Sequence, residues 1–291
     1  MKQEPNCPVC GGKTAVLAGE CRNNFDRSWN IEKCAVCQSA STSPLPDDDL
    51  LREVYRTCFS YDWYRDHYPA KSRDASQRLD EYRPLLGNRV LDFGCGVGYF
   101  SEAARAAGYL STTYDPFTTG AMVQRAAWDT VVALHVLEHA NDLDRVCLQM
   151  KDFLAPGGRL LLAVPNFSGR GYRELGMDWV WAQPPLIHIH HFTAAGLRAL
   201  LQRHGFVDIQ FSHHERWDAN NYCDVEHARL YAFLGRLWSM PLLRRLPAYR
   251  RAIAAGNSAL RFRGLRRSLL HSPANPSECS ELQVTAILPQ S

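Results

Sequence analysis

Val90-Leu91-Asp92-Phe93-Gly94-Cys95-Gly96-Val97-Gly98 is the stretch on which the reading of this chain turns. The short apolar run predicts a buried strand. Glycines at alternate positions predict a turn with no side chain on its inner side, and the alanine-rich residues that follow predict a helix. In such a strand–turn–helix unit, backbone N–H groups and the helix N-terminus can come close to a ligand. A bare G-x-G-x-G serves several kinds of nucleotide-binding fold, so the surrounding residues must discriminate among them.

Working outward, Ser72–Tyr82 reads as a helix before the first strand, Arg89–Phe93. Phe100–Ala107 is helix-forming and stops at Gly108. Leu110–Tyr114 reads as a second strand ending at Asp115, whose carboxylate can accept both hydroxyls of a ribose; the alternative is that Asp115-Pro116 only starts a turn. Thr130–His135 is an apolar strand, Leu143–Leu154 a helix, and Ala155-Pro156-Gly157-Gly158 a turn into the strand Arg159–Val164. Thr193 is positioned to cap a helix carrying Leu197, Leu200 and Leu201, followed by strands Val207–Phe211 and Glu281–Leu288. Strands alternating with helices predict an α/β fold with a largely parallel sheet between helices. Only thirteen residues separate Asp115 from Asp129. A helix of about 11 residues, a strand of about 5 and two turns do not fit there, so one strand or its helix is shortened or missing.

The Leu-Asp-Phe-Gly-x-Gly-x-Gly run, Asp115, the Pro-Gly-Gly turn and the Pro165-Asn166 strand ending together resemble the class I S-adenosylmethionine (SAM)-dependent methyltransferases. The resemblance implies a Rossmann-like seven-stranded sheet, here with its third, edge strand shortened or missing, and a last strand inserted antiparallel. It implies SAM as cofactor, with Asp92, Gly94, Cys95, Gly96, Gly98, Asp115 and His135 around it. In the family, the loop after the third strand supplies a polar contact to adenine, and no residue of this chain can be assigned to it.

Ahead of this domain, Cys7-Pro-Val-Cys10 and Cys34-Ala-Val-Cys37 form two C-x2-C pairs. Two such knuckles can give tetrahedral thiolate coordination, and strands near Lys13–Leu17 and Trp29–Lys33 complete a zinc ribbon. Four thiolates leave no open position, so Zn2+ bound by Cys7, Cys10, Cys34 and Cys37 would be structural. A redox pair or unligated thiols are the alternatives. Cys21, Cys58, Cys95, Cys147, Cys223 and Cys279 have no partner at ligand spacing. The expected organisation is a ribbon over 1–45, a helical lid or linker over 46–84, the SAM-binding domain over 85–219, an insertion over 220–277 and a closing strand over 278–291. Bacterial methyltransferases with a similar ribbon, Pro-x-Pro turn and tyrosine-bearing segment have this order. The aromatics of Phe59–Tyr64 could form a lid over the substrate or pack the ribbon on the main domain.

Two groups of histidines are candidates for chemistry. Moving a methyl group from a sulfonium to a hydroxyl requires in-line placement and removal of a proton, for which imidazole suits neutral pH. His135, Glu138 and His139 fall at i, i+3 and i+4, on one face if this turn is helical. His135 or His139 could be the base, the three could hold a divalent cation, or His135 and Glu138 simply border the cofactor pocket with Glu138 hydrogen-bonding locally. Ubiquinone-pathway O-methyltransferases carry a similar set, with a carboxylate in place of His135. In the other group, His188-Ile189-His190-His191, either His190 acts on the acceptor or the histidines brace the loop.

The formal net charge of +3 conceals an asymmetry: His227–Ser277 holds ten arginines and no Lys, Asp or Glu. Basic amphipathic helices are expected there as a cap. Over Arg229–Arg267 they could meet an anionic or lipid-linked substrate, a membrane surface, or the acidic remainder of the chain. Nucleic acid is disfavoured, since no basic motif interleaved with aromatics accompanies them. No secretory pattern opens the chain and no apolar run reaches the roughly 20 residues of a spanning helix, so a cytoplasmic compartment is expected. The expected function is methyl transfer from SAM to a small-molecule acceptor, a hydroxyl of a sugar, glycan or natural-product intermediate. An RNA methyltransferase and a non-catalytic scaffold with a degenerate SAM pocket are the alternatives.

Overall fold

The computed structural model describes residues 6–22, 28–58, 61–115, 123–182, 186–214 and 279–290. The arginine-rich insertion over 220–277, with its expected cap and partners, lies outside the described residues, as does Pro184-Pro185.

Two sheets organise these residues. The first is built by β1 (Thr14–Arg22), β2 (Ser28–Cys34), β3 (Ala40–Ser43) and the two-residue β8 (His190–His191), in that order. The second has the order β5 (Leu110–Tyr114), β4 (Arg89–Phe93), β6 (Trp128–Leu134), β7 (Leu154–Pro165), β10 (Glu281–Ile287), β9 (Val207–His214). β5, β4, β6 and β7 run parallel, and β10 inserts antiparallel between β7 and β9. Among the described residues this sheet has six strands, and β5 is its edge. Between β5 and β6, residues 116–122, on which the expected shortening falls, lie outside the described residues.

The central strands are buried on both faces, which is why they read as continuous apolar runs rather than alternating ones. Side chains still alternate between two layers. Val90, Val132 and Leu161 meet Leu79 and Tyr82 of α2 (Tyr61–Tyr82) and Phe100 and Ala104 of α3 (Tyr99–Ala106). Leu91, Phe93, Val131, Ala133, Leu160 and Leu162 face Met150 and Phe153 of α4 (Leu143–Phe153) and Leu197, Leu200 and Leu201 of α6 (Ala194–Arg203). Helix α2 begins at Tyr61, eleven residues before the expected start at Ser72, and takes up much of the aromatic stretch. The Pro156-Gly157-Gly158 turn lies within β7: register jumps from Trp128↔Leu154 to Thr130↔Arg159, so these residues form a bulge in the strand.

The cysteine knuckles are joined to the main core. Val9, Cys7, Cys34 and Cys37 belong to the same apolar cluster as Leu197 and Leu200. Thr193 caps α6 by accepting from Gly196 N–H at 3.1 Å while its hydroxyl donates to Cys37 O at 2.6 Å. A Cβ at Gly196 would stand 2.1 Å from Ser39 Oγ, so only glycine lets α6 approach this closely. Helix α1 (Asp48–Cys58) closes the corner, with Leu50 and Val54 packed on Trp29 and Leu186.

Candidate active site

The carboxyl ends of β5, β4, β6 and β7 meet where the chain order reverses: from β4 the sheet runs to β5 on one side and β6 on the other. This is the position at which open α/β sheets hold ligands. The glycine turn sits at the end of β4, with Gly94, Gly96 and Gly98 at φ of +68°, +53° and +86°. A Cβ on Gly94 would come within 2.5 Å of Val136, so the turn after β4 and the turn after β6 are pressed together.

Asp115 ends β5 and is buried; its Oδ2 accepts from Gly96 N–H at 3.0 Å. The acid and the turn are thus a single unit, with Asp115 fixing the loop it shares the crevice with. Asp92 plays a different part. Its Oδ2 accepts from Ser101 N–H at 3.0 Å, within the first turn of α3, so it ties strand to helix from inside the core. Burial pushes its carboxyl up to about 7 in spite of that bond. At Cys95, burial, reinforced by Asp92 and Asp115, raises the thiol to about 12, so it stays neutral against the turn.

The turn after β6 carries the histidine group. His135 has φ +55° and leads into a short 3-10 turn, Leu137–His139. Its Nδ1 lies 3.0 Å from Glu138 Oε1 and its Nε2 lies 3.0 Å from Glu281 Oε2. Burial opposes a charge here, yet the two carboxylates outweigh it and raise His135 to about 9. That direction favours the imidazolium, whose Nδ1–H faces Glu138; its Nε2 is shared by Glu281 and by Arg78 Nη2, 3.2 Å away. Glu281 in turn accepts from Arg78 through both oxygens, at 3.1 and 2.7 Å, and Arg78 Nε also donates to Asp74 at 3.0 Å. Burial opposes ionisation of Glu281, but Arg78 and His135 hold it well below the usual carboxylate range. His135 thus bridges Glu138 of its own turn and Glu281 of β10.

His139 and His188 differ. His139 Nδ1–H donates to Ile187 O at 2.6 Å, and His188 Nδ1–H donates to Trp181 O at 2.7 Å. Burial lowers both, His188 to about 4, so both are neutral with their Nε2 lone pairs available. Trp181 is stacked between His135 and His188, at 5.6 and 5.3 Å. Tyr55 of α1 meets His139 edge-on at 5.9 Å. His190 is placed elsewhere: it belongs to β8, is 1 % exposed and binds Ser41 Oγ of β3 through Nδ1 at 2.8 Å. Burial drops it to about 4. The structure thus brings together Gly94, Gly96, Gly98, Asp115, His135, Glu138 and His139, and turns His190 toward the ribbon.

Sequence reading missed Arg78 and Glu281. The signals were an arginine on the apolar stripe of α2, between Ala75 and Leu79, and an acid opening a buried strand.

The four knuckle thiols lie within 4.8 Å of one another, with Cys7 Sγ 3.9 Å from Cys37 Sγ and Cys10 Sγ 3.5 Å from Cys34 Sγ. Tetrahedral Zn2+ with Zn–S of about 2.3 Å would space its sulfurs by about 3.8 Å. Val36 and Cys37 N–H groups donate to Cys34 Sγ at 3.3 and 3.4 Å, as a thiolate in a knuckle needs. The donor set fits that ion.

Comparison with known proteins agrees with this geometry. The family model described as "Methyltransferase domain" matches residues 64–210. A ubiquinone biosynthesis O-methyltransferase of Xylella fastidiosa is 30 % identical over 138 residues, covering 37 % of this chain and 56 % of the relative. A tRNA U34 carboxymethyltransferase of Klebsiella pneumoniae is 27 % identical over 219 residues, covering 62 % of this chain and 65 % of the relative. The chain thus spans less than two thirds of the length of either curated relative. Among solved structures, the 1,6-didemethyltoxoflavin-N1-methyltransferase of Burkholderia thailandensis is 17 % identical, with 94 % of this chain and all of that one covered and a TM-score of 0.46. Sheet order, glycine turn, acid-tipped second strand and a family match over half of the sequence converge on one assignment: the chain belongs to the class I SAM-dependent methyltransferase domain family.

Proposed function

We propose that this protein transfers the methyl group of SAM to a hydroxyl of a small-molecule acceptor. The observation that supports this reading most is the contact of two turns at the switch point. One carries Gly94–Gly98 with Asp115 beside it. The other carries Glu138 and His139, with His188 facing them. SAM would lie on the glycine turn with its ribose at Asp115. The acceptor would lie against Trp181 and the neutral imidazoles, where a nitrogen lone pair can answer for the hydroxyl proton. The name of the Xylella relative supports O-methylation. Cys7, Cys10, Cys34 and Cys37 would hold a structural Zn2+ that keeps the ribbon folded.

Titration calorimetry with SAM and S-adenosylhomocysteine, on wild type and Asp115→Ala, tests the cofactor site. Methyl-labelled SAM with a panel of hydroxylated sugars and phenols then tests the acceptor class. Micromolar cofactor binding lost in the variant, with label transferred to one chemical class, is the expected result. Absence of binding by folded, metal-loaded protein overturns the reading and favours a scaffold. The name of the Klebsiella relative keeps RNA as a second acceptor class, and tight, steeply salt-dependent RNA binding would select it.

A further inference from the structure

We propose that Glu138, His139 and His188 form a binding site for one divalent cation of the kind taken by two imidazoles and a carboxylate, such as Mn2+, Fe2+ or Zn2+. A carboxylate oxygen of Glu138 and one ring nitrogen each of His139 and His188 lie within 4.8 Å of one another. First-row ions bind such ligands at about 2.0–2.2 Å, which would bring the donors to about 3.4 Å apart, a movement within reach of side-chain rotation.

The hydrogen bonds around the three residues are those of ligands held ready. Each imidazole spends its Nδ1–H on a backbone carbonyl, Ile187 O for His139 and Trp181 O for His188. Such bonds fix the tautomer and orient the Nε2 lone pair, the usual arrangement around a metal-binding histidine. His139 Nε2 lies 4.0 Å from Glu138 Oε1. Glu138 is fully buried; its Oε1 accepts a hydrogen bond from His135 Nδ1–H, and its Oε2 has no hydrogen-bond partner. A buried anionic oxygen left without a donor is costly, and a cation would satisfy it. The backbone holds the set together: Ile189 N–H donates to Glu138 O at 2.7 Å, tying the loop that supplies His188 to the turn that supplies the other two.

His135, the third member of the cation set considered from sequence, cannot serve. Its Nδ1 lies 3.0 Å from Glu138 Oε1, and its Nε2 lies 3.0 Å from Glu281 Oε2 and 3.2 Å from Arg78 Nη2, so both ring nitrogens already face other partners. Its place is behind the site, orienting Glu138. With the ion bound, the Nε2 lone pairs of His139 and His188 no longer serve as bases; instead, three protein ligands leave positions open for oxygens of an acceptor, and the cation lowers the pKa of a hydroxyl bound to it. That use rests on the methyl-transfer reading above; cation binding does not.

The test reads binding alone. Full-length protein is stripped with a chelator and reloaded with Co2+, which reports sulfur ligands through a thiolate charge-transfer band, and is separately titrated with Mn2+ alone, followed by paramagnetic resonance. Wild type should take up two equivalents of Co2+, one with the thiolate band and one without, and one equivalent of Mn2+. His188→Ala and Glu138→Gln should keep the thiolate band and bind Mn2+ more than about 100-fold more weakly. Wild type that develops the full thiolate band yet takes up no second ion overturns the proposal whatever the variants do. So does His188→Ala with wild-type Mn2+ affinity.

Discussion

His135 Nε2 and Glu281 Oε2 meet at 3.0 Å across 146 residues of sequence, joining the turn after β6 to the strand that closes the sheet. Arg78 completes the pair from α2. The floor of the crevice is therefore a buried ion cluster in which each charge needs the others.

Removing one member should be expensive. Arg78→Met leaves Glu281 and Asp74 short of a cation. Breaking a buried pair in this way costs about 3–5 kcal/mol. For a domain of this size that is a fall in Tm of about 6–20 °C. Thermal melts of Arg78→Met beside the exposed control Arg83→Met measure it, and an equal, small shift in both would show that the cluster contributes little.

The cluster should also give stability a particular pH profile. His135 is raised from 6.5 to about 9 on folding. Its contribution is then fully present below pH 6.5 and is lost as pH rises through about 9. Glu281 is depressed, so its contribution is present above its unfolded value of 4.5 and is lost as pH falls. The difference in Tm between wild type and His135→Gln should be large at pH 6 and nearly gone by pH 9.5. A difference that stays constant across that range contradicts the assignment of His135 as an imidazolium.

His139 and His190 should separate in kinetics. His139→Ala removes a proton-accepting lone pair from the crevice and should lower kcat by about 10²–10⁴ with little change in SAM affinity. His190→Ala removes the Ser41 contact between β8 and β3, and should lower Tm more than kcat. Steady-state kinetics and melts on both variants decide, and a larger kcat loss in His190→Ala would restore the sequence-based expectation.

Asp115→Asn should weaken S-adenosylhomocysteine binding by about 10–100-fold, the value of hydrogen bonds to a charged acceptor. Calorimetry reads the loss. Unchanged affinity would leave Asp115 as a brace for Gly96 and nothing more.

Much of this arrangement was legible in the chain because it rests on local rules. The glycine turn, the Asp115 strand tip and the Thr193 cap depend on short-range geometry, and the structure has them where the pattern puts them; the antiparallel last strand was implied by the family resemblance. The roles of the histidines were not legible, because they depend on partners far away in sequence. His135 and His139 sit four residues apart in one turn, yet Glu138 and Glu281 raise the first while burial lowers the second. Nothing in the spacing of His188 and His190 tells that one faces Glu138 and the other Ser41.

The short strand β8 has a further consequence during synthesis. Ala40 pairs with His191 and Ser39 bonds Thr193, contacts about 150 residues apart in the chain. The ribosome makes the cysteine knuckles first and delivers their fourth strand, at about 5–20 residues per second, some 8–30 s later. Through that interval the four-residue edge Ala40–Ser43 is bare, an invitation to pair with another nascent chain. Its brevity limits that exposure while the rest of the molecule arrives to cover it.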